Sequence, residues 1–199
     1  MPPDDAPFRI GFVTGATPDK WARTWRERRR DALELVPLEE TDQEVGVRDG
    51  SLSMVLARLP VDRTGLHCIP LYEERPVVVA GHDHVVAATD PHEELRLADL
   101  ADEQLVLPHR SGWTPSAPQL SWPAMSERDA VATVAAGTGI VLLPQSVARL
   151  HHRKDVVQRF VADLPGTTIG LVWRVDDEDE RIQAFIGVVR GRTARSSRG

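Results

Sequence analysis

A single cysteine, Cys68, leaves the chain nothing to pair it with, so no disulfide framework holds this fold together. It sits in an apolar, strand-like run, which favours a buried, inert thiol and fits a reducing compartment. No stretch approaches the roughly 18 apolar residues of a membrane span. The opening Met1-Pro2-Pro3-Asp4-Asp5 is acidic and lacks the apolar segment of a secretory leader. A cytoplasmic protein with no membrane partner is expected. Basic charge is also scarce: 24 Lys and Arg stand against 30 Asp and Glu, a formal charge of −6. A domain that grips a phosphate backbone normally carries a basic surplus or stripe, so direct nucleic-acid binding is not expected. The densest basic runs, Arg23 to Arg30 and the tail Arg190, Arg192, Arg195 and Arg198, read as a solvated helix face and a frayed end.

What is present is an ordinary globular composition. With 41% hydrophobic and 27% charged residues over 199 positions, the chain can bury a core as one domain or as two small lobes. Phe8 to Val13 is a short apolar run ending at Thr14-Gly15. Thr17-Pro18-Asp19 then offers an N-cap residue, a proline for the first helical position and an acid for the first turn. On the helix that follows, Trp21 and Trp25 share one face and are expected to pack. Leu33, Leu35 and Val36 suggest a second strand. Thr41 and Glu44 have the spacing of a capping box, so a short helix is expected to begin there and to stop at Asp49-Gly50. Leu52 to Leu56 supplies a third strand finishing at Arg58. Strand, helix, strand, helix, strand is the grammar of a parallel sheet with covering helices.

Two more apolar runs, Leu66 to Leu71 and Pro76 to Ala80, precede a change of character at Gly81-His82-Asp83-His84, where a lobe boundary is placed. Beyond it come a short helix near Leu97 to Ala101, a strand at Leu105 to Leu107 and a long irregular segment from Pro108 to Pro123. A helix from Ser126, a strand at Ile140 to Leu143, a helix from Pro144 and a strand at Val156 to Val161 complete the second lobe. After the turn Asp163-Leu164-Pro165-Gly166, a strand at Thr168 to Trp173 is free to return to the first sheet. A last helix, Asp179 to Arg190, carries Ile182, Phe185, Ile186 and Val189 on one face. The predicted organisation is lobe I from 1–81 and 163–199, interrupted by lobe II from 82–162.

Gln43, Asp49-Gly50-Ser51-Leu52-Ser53, Arg58-Leu59-Pro60, Gly65-Leu66 and Pro70-Leu71-Tyr72-Glu73-Glu74 resemble, in order and spacing, a progression found in LysR-type effector domains. Asp83-His84-Val85-Val86-Ala87 and Leu97-Ala98-Asp99-Leu100 are similar to two further motifs. The most specific match is Val134-Ala135-Ala136-Gly137-Thr138-Gly139-Ile140, running on to Leu143-Pro144. The similarity extends from Phe8 to about Val189. It departs at Ser53 and Val85, where the family has Asp and Pro, and it does not include the winged helix-turn-helix. The resemblance implies an α/β fold of the type II periplasmic-binding-protein kind: two lobes, two crossovers and a ligand cleft between them. It also implies a homodimer in which the Trp21-to-Arg30 helix meets the partner's second lobe. The Met1 start points to a stand-alone effector domain rather than a fragment.

Elementary chemistry marks the same places. In α/β sheets, ligands bind beyond the carboxyl ends of strands, where helix N-termini present free N–H groups. Thr14, Gly15 and Thr17 precede the first helix, and Thr41 precedes the second. The resembling family places hydroxyl donors to a carboxylate there. Gly15 removes a side chain that would block the backbone. For the threonines, helix capping and ligand contact are both open. Arg58 ends the third strand at the same edge and could hold a carboxylate. In lobe II, His109, Ser111 and Trp113 open the long loop, and Trp113 offers a flat wall to an aromatic acid or closes its own loop. The expected ligand is a small anionic effector, with no cofactor.

Other chemistries find less support. His82, His84 and His92 with Asp83 and Asp90 match no compact metal spacing, and no metal site is expected. Ser111 lacks a nucleophile elbow, Cys68 lies in a strand, and no catalytic set assembles, so no enzymatic activity is expected. The alternatives on the same two-lobed fold are an enzyme, as in aromatic-acid dehydratases and some transferases, and a solute-binding protein, which the absent leader disfavours.

Overall fold

The structure, a computed structural model, describes residues 6–191. The acidic start Met1 to Asp5 and the tail arginines Arg192, Arg195 and Arg198 lie outside the described residues. In chain order the first elements are β1 (Phe8–Val13), α1 (Asp19–Arg28), β2 (Leu33–Leu38), α2 (Val45–Asp49), β3 (Met54–Arg58) and β4 (Leu66–Glu74). They are followed by β5 (Pro76–Gly81), α3 (Glu127–Ala135), β6 (Ile140–Pro144), α4 (Gln145–Leu150), β7 (Val156–Phe160), β8 (Thr167–Arg174) and α5 (Glu180–Val189). The chain folds as two compact units: one runs up to Tyr72 and resumes at Thr168, and the other is Glu73–Thr167.

The first unit is built on a five-stranded sheet in the order β2-β1-β3-β8-β4. β1 pairs in parallel with both β2 and β3, as the strand-helix-strand pattern predicts. β8 returns late in the chain and lies antiparallel to β3, with Val55 opposite Val172 and Arg58 opposite Ile169. The helix side of this sheet is closed by an aromatic trio. Trp25 from α1 stacks on Phe8 with ring centroids 5.1 Å apart, and Phe185 from α5 tilts against both. All three are fully buried, and the Trp25 indole N–H donates to the Asp31 carbonyl at 3.1 Å. The tryptophan pair is therefore packing, with Trp21 half-buried against the same core.

The second unit holds a three-stranded sheet, β6-β5-β7, in which both pairings are antiparallel. β5 is its centre and is buried along its whole length. This moves the division between units to Tyr72/Glu73, earlier than the Gly81 boundary that polarity suggests: the polar stretch marks the end of a central strand. At the other crossing, Asp163 accepts a hydrogen bond from the Leu97 N–H at 2.8 Å and Leu164 joins this unit's core. The division there falls after Thr167. Residues 105–107, expected as a strand, form only an isolated bridge between Leu105 and Ile140. Leu97–Leu100 is a single 3-10 turn. Ser126 does cap α3, its hydroxyl accepting from the Asp129 N–H at 3.1 Å. Gly139 has a left-handed φ of 65°, and a Cβ there would strike the Gln104 carbonyl, which accounts for a glycine immediately before β6.

Candidate functional site

Because β1, β2 and β3 run in parallel, their carboxyl ends lie side by side and the loops that follow them meet at one edge of the first unit. The Thr14 N–H donates to the Leu38 carbonyl at 3.2 Å, and the Ala16 N–H closes back on Val13 at 3.0 Å. Gly15, at φ 88°, makes this turn possible. α1 starts at Asp19 with Pro18 in the cap position and no side-chain cap. After β2 comes a 3-10 turn, Glu40–Asp42, and α2 begins only at Val45, again without a side-chain cap. Neither capping expectation is met. Glu44 itself stands at the cap position, and its carboxylate is taken by Arg48 at 2.6 Å and by the Asp62 N–H at 3.2 Å. Thr17 and Thr41 are exposed at this edge, and no partner for either hydroxyl is found among the described residues.

Arg58, at the end of β3, is only 1% exposed. Its backbone is bracketed by the buried amide of Gln43, which accepts from the Arg58 N–H at 2.8 Å and donates to the Arg58 carbonyl at 3.0 Å. β1 stops short of this level, so the Gln43 amide acts as one further peptide of that strand. The guanidinium donates through Nη1 to Glu40 at 2.9 Å and through Nη2 to the Thr14 carbonyl at 3.1 Å. Arg58 thus holds a carboxylate, and that carboxylate belongs to the chain. It ties the loops after β1 and β2 to the end of β3. Only the arginine of this pair is buried, at 1% exposure against 36% for Glu40, and its several ties make Arg58 a structural support of the edge. Glu40 is the residue that sequence reasoning passed over. Its only signal is an acid placed directly after a strand, next to an arginine that ends another.

In the second unit, His109, Ser111 and Trp113 lie on one turn. The Ser111 hydroxyl is 2.8 Å from His109 Nδ1, the Ser111 N–H donates to the same nitrogen at 3.2 Å, and the Trp113 N–H donates to the Ser111 oxygen at 3.2 Å. A backbone N–H only donates, so Nδ1 accepts and the neutral ring carries its proton on Nε2. Burial, with the charge of Arg110 beside it, holds the His109 pKa below the usual histidine value. Trp113 is half-buried against the core of its own unit and closes its own loop. Gln104 and Gln119 pin the far end of that loop, with Leu105 N–H to Gln119 and Leu120 N–H to Gln104 at 2.8 and 2.9 Å. The structure therefore assembles Thr14, Gly15, Thr17, Thr41 and Arg58 on one edge, and His109, Ser111 and Trp113 on one turn.

The remaining chemistry is dispersed. An open pocket of about 410 Å³ in the second unit is lined by Gly81 to Val85 and Ala135 to Gly137, none of which belongs to either set. His84 donates to Glu103 at 2.9 Å and accepts the Val86 N–H at 3.2 Å, which makes it a turn-forming residue. Among the described residues no group of three or more His, Cys, Asp or Glu is placed to hold a metal ion. None of the described helices is long and apolar enough to cross a membrane. Burial pushes the Cys68 thiol up from its ordinary value.

Comparison with known proteins places these features. The family profile described as the LysR substrate binding domain matches residues 7–194. A probable hydrogen peroxide-inducible genes activator of Mycobacterium avium is 30% identical over 81% of this chain and 57% of its own length. The Hca operon transcriptional activator HcaR of Escherichia coli K12 is 27% identical over 96% of this chain and 69% of its own. The chain thus spans little more than half of the first relative. Among solved structures, the BenM effector binding domain with its effector benzoate matches with a TM-score of 0.75 at 20% identity, covering 96% of this chain and 93% of that one. The oxidized form of OxyR matches at 0.73 and 24% identity, over 94% and 96%. The fold is the type II periplasmic-binding-protein-like α/β architecture.

Proposed function

Since this chain belongs to the LysR substrate-binding domain family, we propose that it is the effector-sensing part of a transcription regulator and that its effector is a small carboxylate or aromatic acid. The observation that carries the reading is the pair of threonine hydroxyls, Thr17 and Thr41, exposed at the carboxyl edge of three parallel strands with no capping role. Gly15 beside them leaves the backbone open to close approach. Hydroxyl and N–H donors at such an edge suit a carboxylate, and each hydrogen bond to a charged group is worth about 1.5–3 kcal/mol. Benzoate is the effector of the structural neighbour BenM.

The working form is a homodimer, and the domain senses rather than catalyses. Thermal shift with small carboxylates, aromatic acids, amino acids and phosphates tests the reading, because a ligand of the folded state must raise Tm. A shift confined to carboxylates supports it, and a shift confined to phosphates or amines overturns it. A peroxide-sensing reading, suggested by the Mycobacterium avium relative, is weakened by the cysteine content. This chain has one cysteine, and burial disfavours its thiolate.

A further inference from the structure

The Arg58–Glu40 contact has an asymmetry. Arg58 cannot move far: its backbone is held on both sides by Gln43, its guanidinium is tied to the Thr14 carbonyl, and it is 1% exposed. Glu40 stands in a three-residue 3-10 turn, and its side chain is 36% exposed. Its carboxylate can rotate into water, while the guanidinium cannot follow. Next to it in the chain is Thr41, one of the two hydroxyls assigned to the effector.

Resting on the carboxylate reading above, we propose that Glu40 is a built-in competitor for the effector. Its carboxylate occupies Arg58 in the free domain and yields Nη1 to the carboxylate of an anionic effector. The exchange is one anion for another on the same guanidinium, so no buried charge is uncovered and no proton moves. It makes Glu40 a specificity-determining residue. A neutral amide or ester has no charge with which to replace Glu40 and is rejected, whereas an acid of the same shape is accepted. It also gives effector arrival a mechanical consequence, since release of Glu40 frees the turn that carries Thr41.

The test compares the wild-type chain with Glu40→Gln and Glu40→Ala, titrated with sodium acetate, sodium benzoate and benzamide at constant ionic strength and followed by calorimetry and thermal shift. Circular dichroism confirms folding, and Glu40→Gln, which keeps the side chain's size, serves if the alanine variant is unstable. The expected result is at least tenfold tighter binding of acetate or benzoate in both variants, with benzamide unchanged. Carboxylate binding that is equal or weaker in a folded variant overturns the competitor role and leaves the carboxylate reading standing. No response to either carboxylate in any of the three chains overturns both.

Discussion

Replacing Gln43 with leucine should destabilise the first unit's sheet edge through lost hydrogen bonds alone. The amide makes two buried hydrogen bonds to one residue, at 2.8 and 3.0 Å from the Arg58 N–H and C=O. Leucine is close in volume, so little cavity forms, and the loss is that of the polar contacts. A buried backbone group left without its partner costs about 1–3 kcal/mol, and two are left here, which gives a total of about 2–4 kcal/mol after partial relaxation. For a chain of this size each kcal/mol moves Tm by about 2–4 °C, so a fall of about 5–15 °C is expected. Glu in place of Gln keeps an acceptor for the Arg58 N–H but loses the donor to its carbonyl, and should fall between. Thermal and urea denaturation followed by circular dichroism measure the change. A Gln43→Leu variant within about 0.5 kcal/mol of wild type would refute the assignment of this amide as an extension of β1.

Three further outcomes follow from the same structure. Trp25→Ala removes the centre of the trio with Phe8 and Phe185 and should destabilise by about 3–5 kcal/mol in chemical denaturation, while a loss under 1 kcal/mol would mean the trio is not the core it looks to be. His109 has a folded pKa below its unfolded value, so its neutral form is favoured by folding: stability is full above about pH 6.5 and falls as pH drops through that value toward the folded pKa. His109→Gln should flatten that slope, and an unchanged pH profile would remove His109 as its source. Light scattering after size exclusion should return twice the 22.0 kDa chain mass, and a strict monomer at high concentration would contradict the proposed homodimer.

The first unit was legible in sequence because local signals agree with the global arrangement: apolar runs of strand length alternate with an amphipathic helix whose tryptophans fall on one face. The second unit was less so. Periodicity identifies a strand but carries no direction, and the antiparallel pairing of β5 with β6 and β7 depends on chain crossings that no local window contains. The run Pro76 to Ala80 is apolar throughout because it is a central strand, and the polar residues after it mark that strand's end. At the site, the Thr41 and Glu44 spacing of a capping box was present, but a 3-10 turn intervenes and gives both side chains other surroundings. Arg58 was readable as an arginine at a strand end. Which carboxylate it holds depends on how two loops meet, and that is set by the parallel register of β1 with β2 and β3.

The central claim is most directly tested by titrating wild type, Thr17→Val and Thr41→Val with sodium benzoate and related carboxylates while following Tm. Valine replaces threonine without changing its shape, and neither hydroxyl has a capping role, so the three chains should melt alike in the absence of ligand. A carboxylate should raise the wild-type Tm, and each valine variant should bind it about 10- to 100-fold more weakly, the equivalent of one charge-assisted hydrogen bond. Binding of equal strength in all three chains would contradict the claim.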